Sequence, residues 1–150
     1  MDLDISQIQA KLEAYCAYQD RSTKEVQKKM ESFSLSDKDK EALLSHLRRL
    51  KFLDDERSSE SFVQGKFRIK KWGKIKIKSH LIQHHIPSSL ISEALSTIRD
   101  KEYYDTIERL IEKKKELLNK DLNEFQVKEK LIRYLQSKGY ELNIIFDCLE

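Results

Sequence analysis

The sequence predicts an all-α protein built as three tandem three-helix modules in an elongated, curved array. Apolar residues keep a helical spacing along nearly the whole chain, and breakers are scarce, with three Gly and one Pro in 150 residues. The same apolar pairs also recur at an almost fixed interval, which is the signature of a repeat architecture. A β-sandwich or barrel would need many more turn residues. Charged residues make up 37% of the chain, well above the roughly 25% of an ordinary globular domain. An extended array, with more surface per residue, solvates such a fraction more easily than a sphere does.

The first helical face is Leu3, Ile5, Ile8, Leu12, Tyr15 and Cys16. Asp20 and Arg21 interrupt it. Ser22 with Glu25 three residues later is a capping box, and opens a second helix with Val26 and Met30 inward. A third begins at Ser36 or Asp37 and turns Leu43, Leu44, Leu47 and Leu50 inward. Asp54 is suited to cap the next helix, and Asp55 and Glu56 to its positive end. That helix is expected to carry Phe62, Val63, Phe67 and Ile69 and to run to about Trp72, where Gly73 breaks it. Ile77 and Leu81 mark a fifth helix ending near His85. Pro87 is placed to start a sixth at its first turn, with Leu90, Ile91, Leu95 and Ile98. Tyr103, Tyr104, Ile107, Leu110, Ile111 and Leu118 define a long seventh helix. Phe125, Val127, Leu131, Ile132 and Leu135 define an eighth that stops at Gly139. Leu142, Ile145, Phe146 and Leu149 make a short ninth.

The pairs Val26/Met30, Ile77/Leu81 and Val127/Leu131 are the same i, i+4 pattern. Each follows a boundary residue (Ser22, Gly73, Asn123) by the same four positions. Leu43/Leu47, Ile91/Leu95 and Ile145/Leu149 repeat in the following helix. The expected modules are residues 1–53, 54–98 and 99–150. Units this small have thin cores, so neighbours are expected to share burial.

The net charge of +3 is unevenly spread: residues 1–53 carry +1, residues 54–98 carry +3 and residues 99–150 carry −1. Residues 66–78, KFRIKKWGKIKIK, contain Lys66, Arg68, Lys70, Lys71, Lys74, Lys76 and Lys78 with no acid. Seven like charges repel one another, so a solvated helix face is one reading and a surface for phosphates or acidic protein is the other. With two helices meeting at Gly73, these charges would ring an outward joint. Trp72 is open between a core role and an interface or base-stacking anchor.

No stretch approaches the ~20 apolar residues of a membrane span, and the acidic, amphipathic start lacks the pattern of a signal peptide. The expectation is a cytoplasmic protein that makes no membrane contact, with Cys16 and Cys148 as reduced core residues. His80 and His84 share an i, i+4 face but lack a third ligand nearby, so no metal site is expected. Asp54, Asp55 and Glu56 are explained by a helix start. With no phosphate loop and no nucleophile constellation, no catalytic residue and no cofactor are expected.

Several segments, in order, resemble the RecX family. Arg21-Ser22 through Met30, R-S-x-x-E-V-x-x-K-M, is similar to that family's first module. Leu50 to Arg57, LKFLDDER, resembles its L-D-D-x-R boundary. Arg68 to Leu81, with Gly73 inside it, resembles the family's R-x-x-K-x-x-G-x-x-[KR]-I-x-x-x-L, and Lys138-Gly139-Tyr140 the closing [KR]-G-[YF]. In Leu81 to Ile86, LIQHHI, a turn glycine usual in the family is missing. The resemblance implies a fold of three three-helix bundles in a curved monomer. It also implies binding to the RecA recombinase filament on DNA, restraint of its ATPase, strand-exchange and co-protease activity, and a place in DNA repair, recombination and the SOS response. Lys66, Arg68, Lys70, Lys71, Trp72, Lys74, Lys76 and Lys78 are the expected contact residues, with DNA phosphates touched directly as a further possibility. The rival readings are a helical protein acting on DNA itself through residues 66–78, and a generic helical scaffold.

Overall fold

The computed structural model describes residues 3–150, and among them finds nine α-helices and no strand. They are α1 (Ile5–Tyr18), α2 (Thr23–Met30), α3 (Asp37–Arg49), α4 (Asp55–Arg68), α5 (Lys74–Gln83), α6 (Ser88–Ser96), α7 (Asp100–Leu117), α8 (Glu124–Ser137) and α9 (Leu142–Leu149). They group as three three-helix modules in tandem. The accessible surface is 9980 Å² for 17.9 kDa, against roughly 8,000 Å² for a compact monomer of that mass. The excess surface belongs to an extended particle and gives the many charges their water.

Capping explains where the helices start. Asp4, Ser22, Ser36, Asp54 and Asn123 each accept a backbone N–H from the first turn of the helix that follows. Ser22 with Glu25, Asn123 with Gln126, and Asp4 with Gln7 close full capping boxes. Ser22, Gly73 and Asn123, the boundary residues of the repeat, are the N-caps of α2, α5 and α8. Pro87 sits at the cap of α6, one position before the first turn where it was expected.

The hydrophobic interior has two parts. Ile8, Leu12, Cys16, Val26, Met30, Leu43, Leu44, Leu47 and Leu53 close a core between α1, α2 and α3. The other six helices share one larger core, from Val63 and Phe67 through Ile77, Leu81, Ile91 and Ala94 to Tyr103, Ile107, Leu131, Leu135, Tyr140 and Ile145. The junction between the two cores is polar. Asp20 accepts from Arg57 at 2.7 Å and from Ser61 at 2.6 Å, and Asp55 accepts from the Thr23 backbone N–H and hydroxyl at 2.9 and 2.8 Å. These bonds hold the Asp20 carboxyl below its usual pKa, the Ser61 hydrogen bond contributing most. A cleft of about 510 Å³ remains there, lined by Asp20, Glu25, Ser59, Phe62, Lys66 and His84 among others.

Several expected positions differ. α4 ends at Arg68, and Ile69 is 78% exposed. Leu3, Ile5, Leu50 and Phe125 face solvent, not the core. Ala94, too small to stand out in a periodicity, is fully buried. Cys16 is buried and Cys148 half-buried, both free, with burial pushing each thiol's pKa up.

Four helices end on a left-handed residue: Lys51, Lys71 and His85 with φ near 60°, and Gly139 with φ 97°. Only the last is a glycine. His85 occupies the turn where the expected glycine is missing, and Ile86 N–H closes it on Leu81 O at 3.2 Å. A side chain in this region costs ~1–2 kcal/mol. His85→Gly is therefore expected to stabilise the protein by about 1 kcal/mol after glycine's greater unfolded-state freedom is allowed for. Thermal denaturation followed by circular dichroism should show a rise; a fall would mean that the imidazole contributes more than the turn costs.

Candidate partner-binding face

The cations of residues 66–78 do not form one uniform ridge. Lys66 and Arg68 lie on the last turn of α4, Lys70 and Lys71 in the connection, and Lys74, Lys76 and Lys78 on α5. Arg68 is paired with Glu102 at 3.2 Å. The Lys66 and Lys76 ammonium groups sit 4.9 and 4.6 Å from the Trp72 ring centroid, and the His80 ring packs tilted against the same indole at 4.6 Å. Trp72 is half-buried and packs on the core. Its π system already holds two cations in place, so it acts as their scaffold, and the base-stacking reading loses its free aromatic ring. Lys74 lies 4.9 Å from the Tyr103 ring. Lys70 and Lys78 are exposed, and Lys71 is half-buried.

The two helices do not meet at Gly73 in a sharp turn. The backbone reverses at Lys71, with φ 60°, while Gly73 has φ −80°, which any residue adopts. Gly73 is required for another reason. A Cβ there would lie 2.3–2.4 Å from the Gly139 carbonyl and the Tyr140 nitrogen. Gly73 N–H donates to Lys138 O at 2.7 Å, Lys74 N–H to the Tyr103 hydroxyl at 2.9 Å, and Ile75 N–H to Gly139 O at 2.9 Å. A glycine cap has no side chain to satisfy the first turn of α5. The last module does so instead, end to end, with the C-terminal carbonyls of α8 facing the N-terminal amides of α5.

Two tyrosines fasten the same contact. Tyr140 donates its hydroxyl to Lys71 O at 2.7 Å, and Tyr103 donates its own to the Glu141 carboxylate. Both rings are fully buried and meet in a tilted contact with centroids 5.3 Å apart. Burial holds both phenols protonated, well above the ordinary tyrosine range. The anchoring oxygen of Lys71 thus fixes one expected contact residue to the α8–α9 connection far along the chain.

This docking adds residues that the run 66–78 does not contain. Lys138 donates its ammonium to Lys70 O at 3.1 Å. Its pKa is pulled down, first by burial and then by the charges of Lys76 and Lys71. Arg109 and Lys113 of α7 line a hollow with Lys71. The signal for Lys138 was present in the Lys138-Gly139-Tyr140 motif, but its neighbours are visible only once the modules dock. His84 packs its ring on Phe62 at 6.2 Å. Among the described residues no three His, Cys, Asp or Glu side chains gather as a metal site would need, and no helix is long and apolar enough to cross a membrane.

Three tandem three-helix modules with a basic face across the junction of the last two define a helical-repeat protein. Residues 54–95 match the family model for the second three-helix domain of RecX, and residues 100–149 that for the third. The chain is 31% identical over 133 residues to a regulatory protein RecX of Clostridium acetobutylicum, covering 87% of this chain and 61% of that relative. It is 35% identical over 122 residues to the one of Clostridium tetani, covering 80% and 55%. The crystal structure of RecX from Lactobacillus salivarius superimposes with a TM-score of 0.86 at 24% identity, over 97% of this chain and 94% of that one. The two family models together span more than half of the sequence, and the chain belongs to the RecX family. It spans about three fifths of the length of these two curated relatives.

Proposed function

We propose that this chain binds the RecA–DNA filament and restrains its ATP hydrolysis, strand exchange and co-protease activity, acting as a monomer in the cytoplasm during DNA repair, recombination and the SOS response. The observation that carries this reading is the surplus of cations around the α4–α5 connection, enlarged by Lys138 and by Arg109 and Lys113, on a chain whose relatives are named regulatory proteins. A nucleoprotein filament is a polyanion along its whole length, and a basic face on an extended particle is attracted to it over a long range.

The protein acts by binding and has no reaction of its own. Asp54 and Asp55 are occupied as helix cap and as acceptor for Thr23, and His80 and His84 as ring partners of Trp72 and Phe62. The division into modules 1–53, 54–98 and 99–150 belongs to the same proposal, and the two family-model matches fall within the last two. The polar junction at Asp20 and Asp55 would let the first module adjust while the other two hold the filament as one piece.

Co-sedimentation tests this directly. The chain should pellet with RecA assembled on single-stranded DNA in the presence of a non-hydrolysed ATP analogue, and progressively less as salt rises. Recovery entirely in the supernatant at low salt would sink the filament reading.

A further inference from the structure

α7 presents Thr106, Arg109, Leu110 and Lys113 at i, i+3, i+4 and i+7, a single helical face. Lys71 of the α4–α5 connection closes over that face, and together the five residues line a half-open hollow of about 110 Å³. It is small beside the roughly 300–1,000 Å³ of pockets for drug-sized ligands, so it suits one compact group. Leu110 and Thr106 are buried beneath it, and the Thr106 hydroxyl is committed to Glu102 O at 2.8 Å. The remaining three groups are all cationic. Among the described residues none of Lys71, Arg109 or Lys113 has a carboxylate within 4.0 Å, as is also true of the other lysines, so what sets these three apart is their convergence on one hollow.

The placement of Lys71 is itself costly. Its backbone is left-handed at φ 60° and is held there by the Tyr140 hydroxyl on its carbonyl. A glycine would relieve that turn, but would leave nothing to reach the hollow.

We infer that this hollow is a phosphate seat for a nucleic-acid strand. Arg109 supplies a planar fork that matches two phosphate oxygens, and Lys71 and Lys113 supply point charges on either side. The seat exists only when the last two modules are docked, because one wall comes from the α4–α5 connection and the other from α7. The reading deepens the filament proposal by naming the DNA backbone, not an acidic protein surface, as what this part of the face touches, and it rests on that proposal for its setting.

The test uses the full chain and a fluorescein-labelled oligothymidylate, without RecA, followed by fluorescence anisotropy over a salt series. The parent should bind. The double variant Arg109→Gln with Lys113→Gln should bind at least tenfold more weakly. The slope of its log affinity against log salt should be shallower by about 0.7 for the phosphate lost. Lys11→Gln with Lys38→Gln, which removes the same charge from exposed sites on α1 and α3, should bind nearly as the parent does. Lys71→Gly separates binding from folding, since it should weaken binding while melting no lower than the parent. Equal losses in the two double variants, an unchanged Arg109/Lys113 variant, or a parent that ignores the oligonucleotide would each overturn the seat. A parent that ignores naked DNA but pellets with filaments would remove the seat and leave the filament reading standing. A parent that binds DNA through these residues but never pellets with filaments would do the reverse.

Discussion

Gly139→Ala and Gly73→Ala should each cost about 3 kcal/mol or more, while Gly65→Ala should stabilise the protein by about 0.5–1 kcal/mol. The three glycines of one chain are thus expected to respond with opposite signs, and the reason is geometric. At Gly139 a Cβ would meet Lys76 Cβ at 2.4 Å and its backbone nitrogen at 2.7 Å, and φ is 97°. Overpacking of that kind costs ~1–3 kcal/mol, and the left-handed backbone adds ~1–2 kcal/mol. At Gly73 the new methyl would meet backbone, which cannot rotate away. Relief would require separating α5 from α8, and that would release the amides of Gly73, Lys74 and Ile75 from their acceptors. Each such bond is worth ~0.5–1.5 kcal/mol. Gly65 lies inside α4 with nothing within 4 Å of its would-be Cβ, so alanine there gains helix propensity without a clash. Urea denaturation followed at 222 nm by circular dichroism measures all three. A Gly73→Ala protein as stable as the parent would mean that the last two modules do not dock backbone to backbone.

Reversing Lys70, Lys71 and Lys78 to Glu should weaken filament association by at least tenfold and leave the fold in place. Lys70 and Lys78 are exposed, so each change there shifts stability by only ~0.5 kcal/mol. Lys74 is left out because its backbone amide and ammonium both serve Tyr103. Lys66 and Lys76 are left out because they are spread against Trp72. Lys11, Lys38 and Lys40 reversed together are the matched control, and should lose far less. A folded Lys70/Lys71/Lys78 variant that pellets as the parent does would make this surface an ordinary solvated face.

Much of the architecture was legible because helix caps and apolar pairs are local signals. Ser22, Gly73 and Asn123 could be aligned by their four-residue offset from Val26, Ile77 and Val127, and all three are N-caps. Asp54 could be read as a cap for the same reason. The role of Gly73 was not legible. Its partner is the backbone of Gly139, and main-chain contacts leave no mark on side-chain patterns beyond the two glycines themselves. The extent of α4 was overread because Ile69 extends the apolar spacing by one more position, although that side chain ends in solvent.

The candidate face was legible as charge but not as arrangement. A run of seven cations announces itself in any sequence. Which of them are held by Trp72, Tyr103 or Glu102, and which are free, depends on rings and carboxylates placed by tertiary packing. Lys138, Arg109 and Lys113 join through docking between helices distant in sequence. Lys71 shows both sides. Its charge was evident, but its left-handed backbone and its tether to Tyr140 were not.

The rate of DNA-dependent ATP hydrolysis by RecA, measured as this chain is titrated onto preformed filaments, tests the central claim most directly. The account predicts a fall in rate that saturates with added chain, is relieved by salt, and requires far more of the Lys70/Lys71/Lys78 reversal variant. A rate that stays constant while the chain is present in excess over RecA at low salt would contradict it.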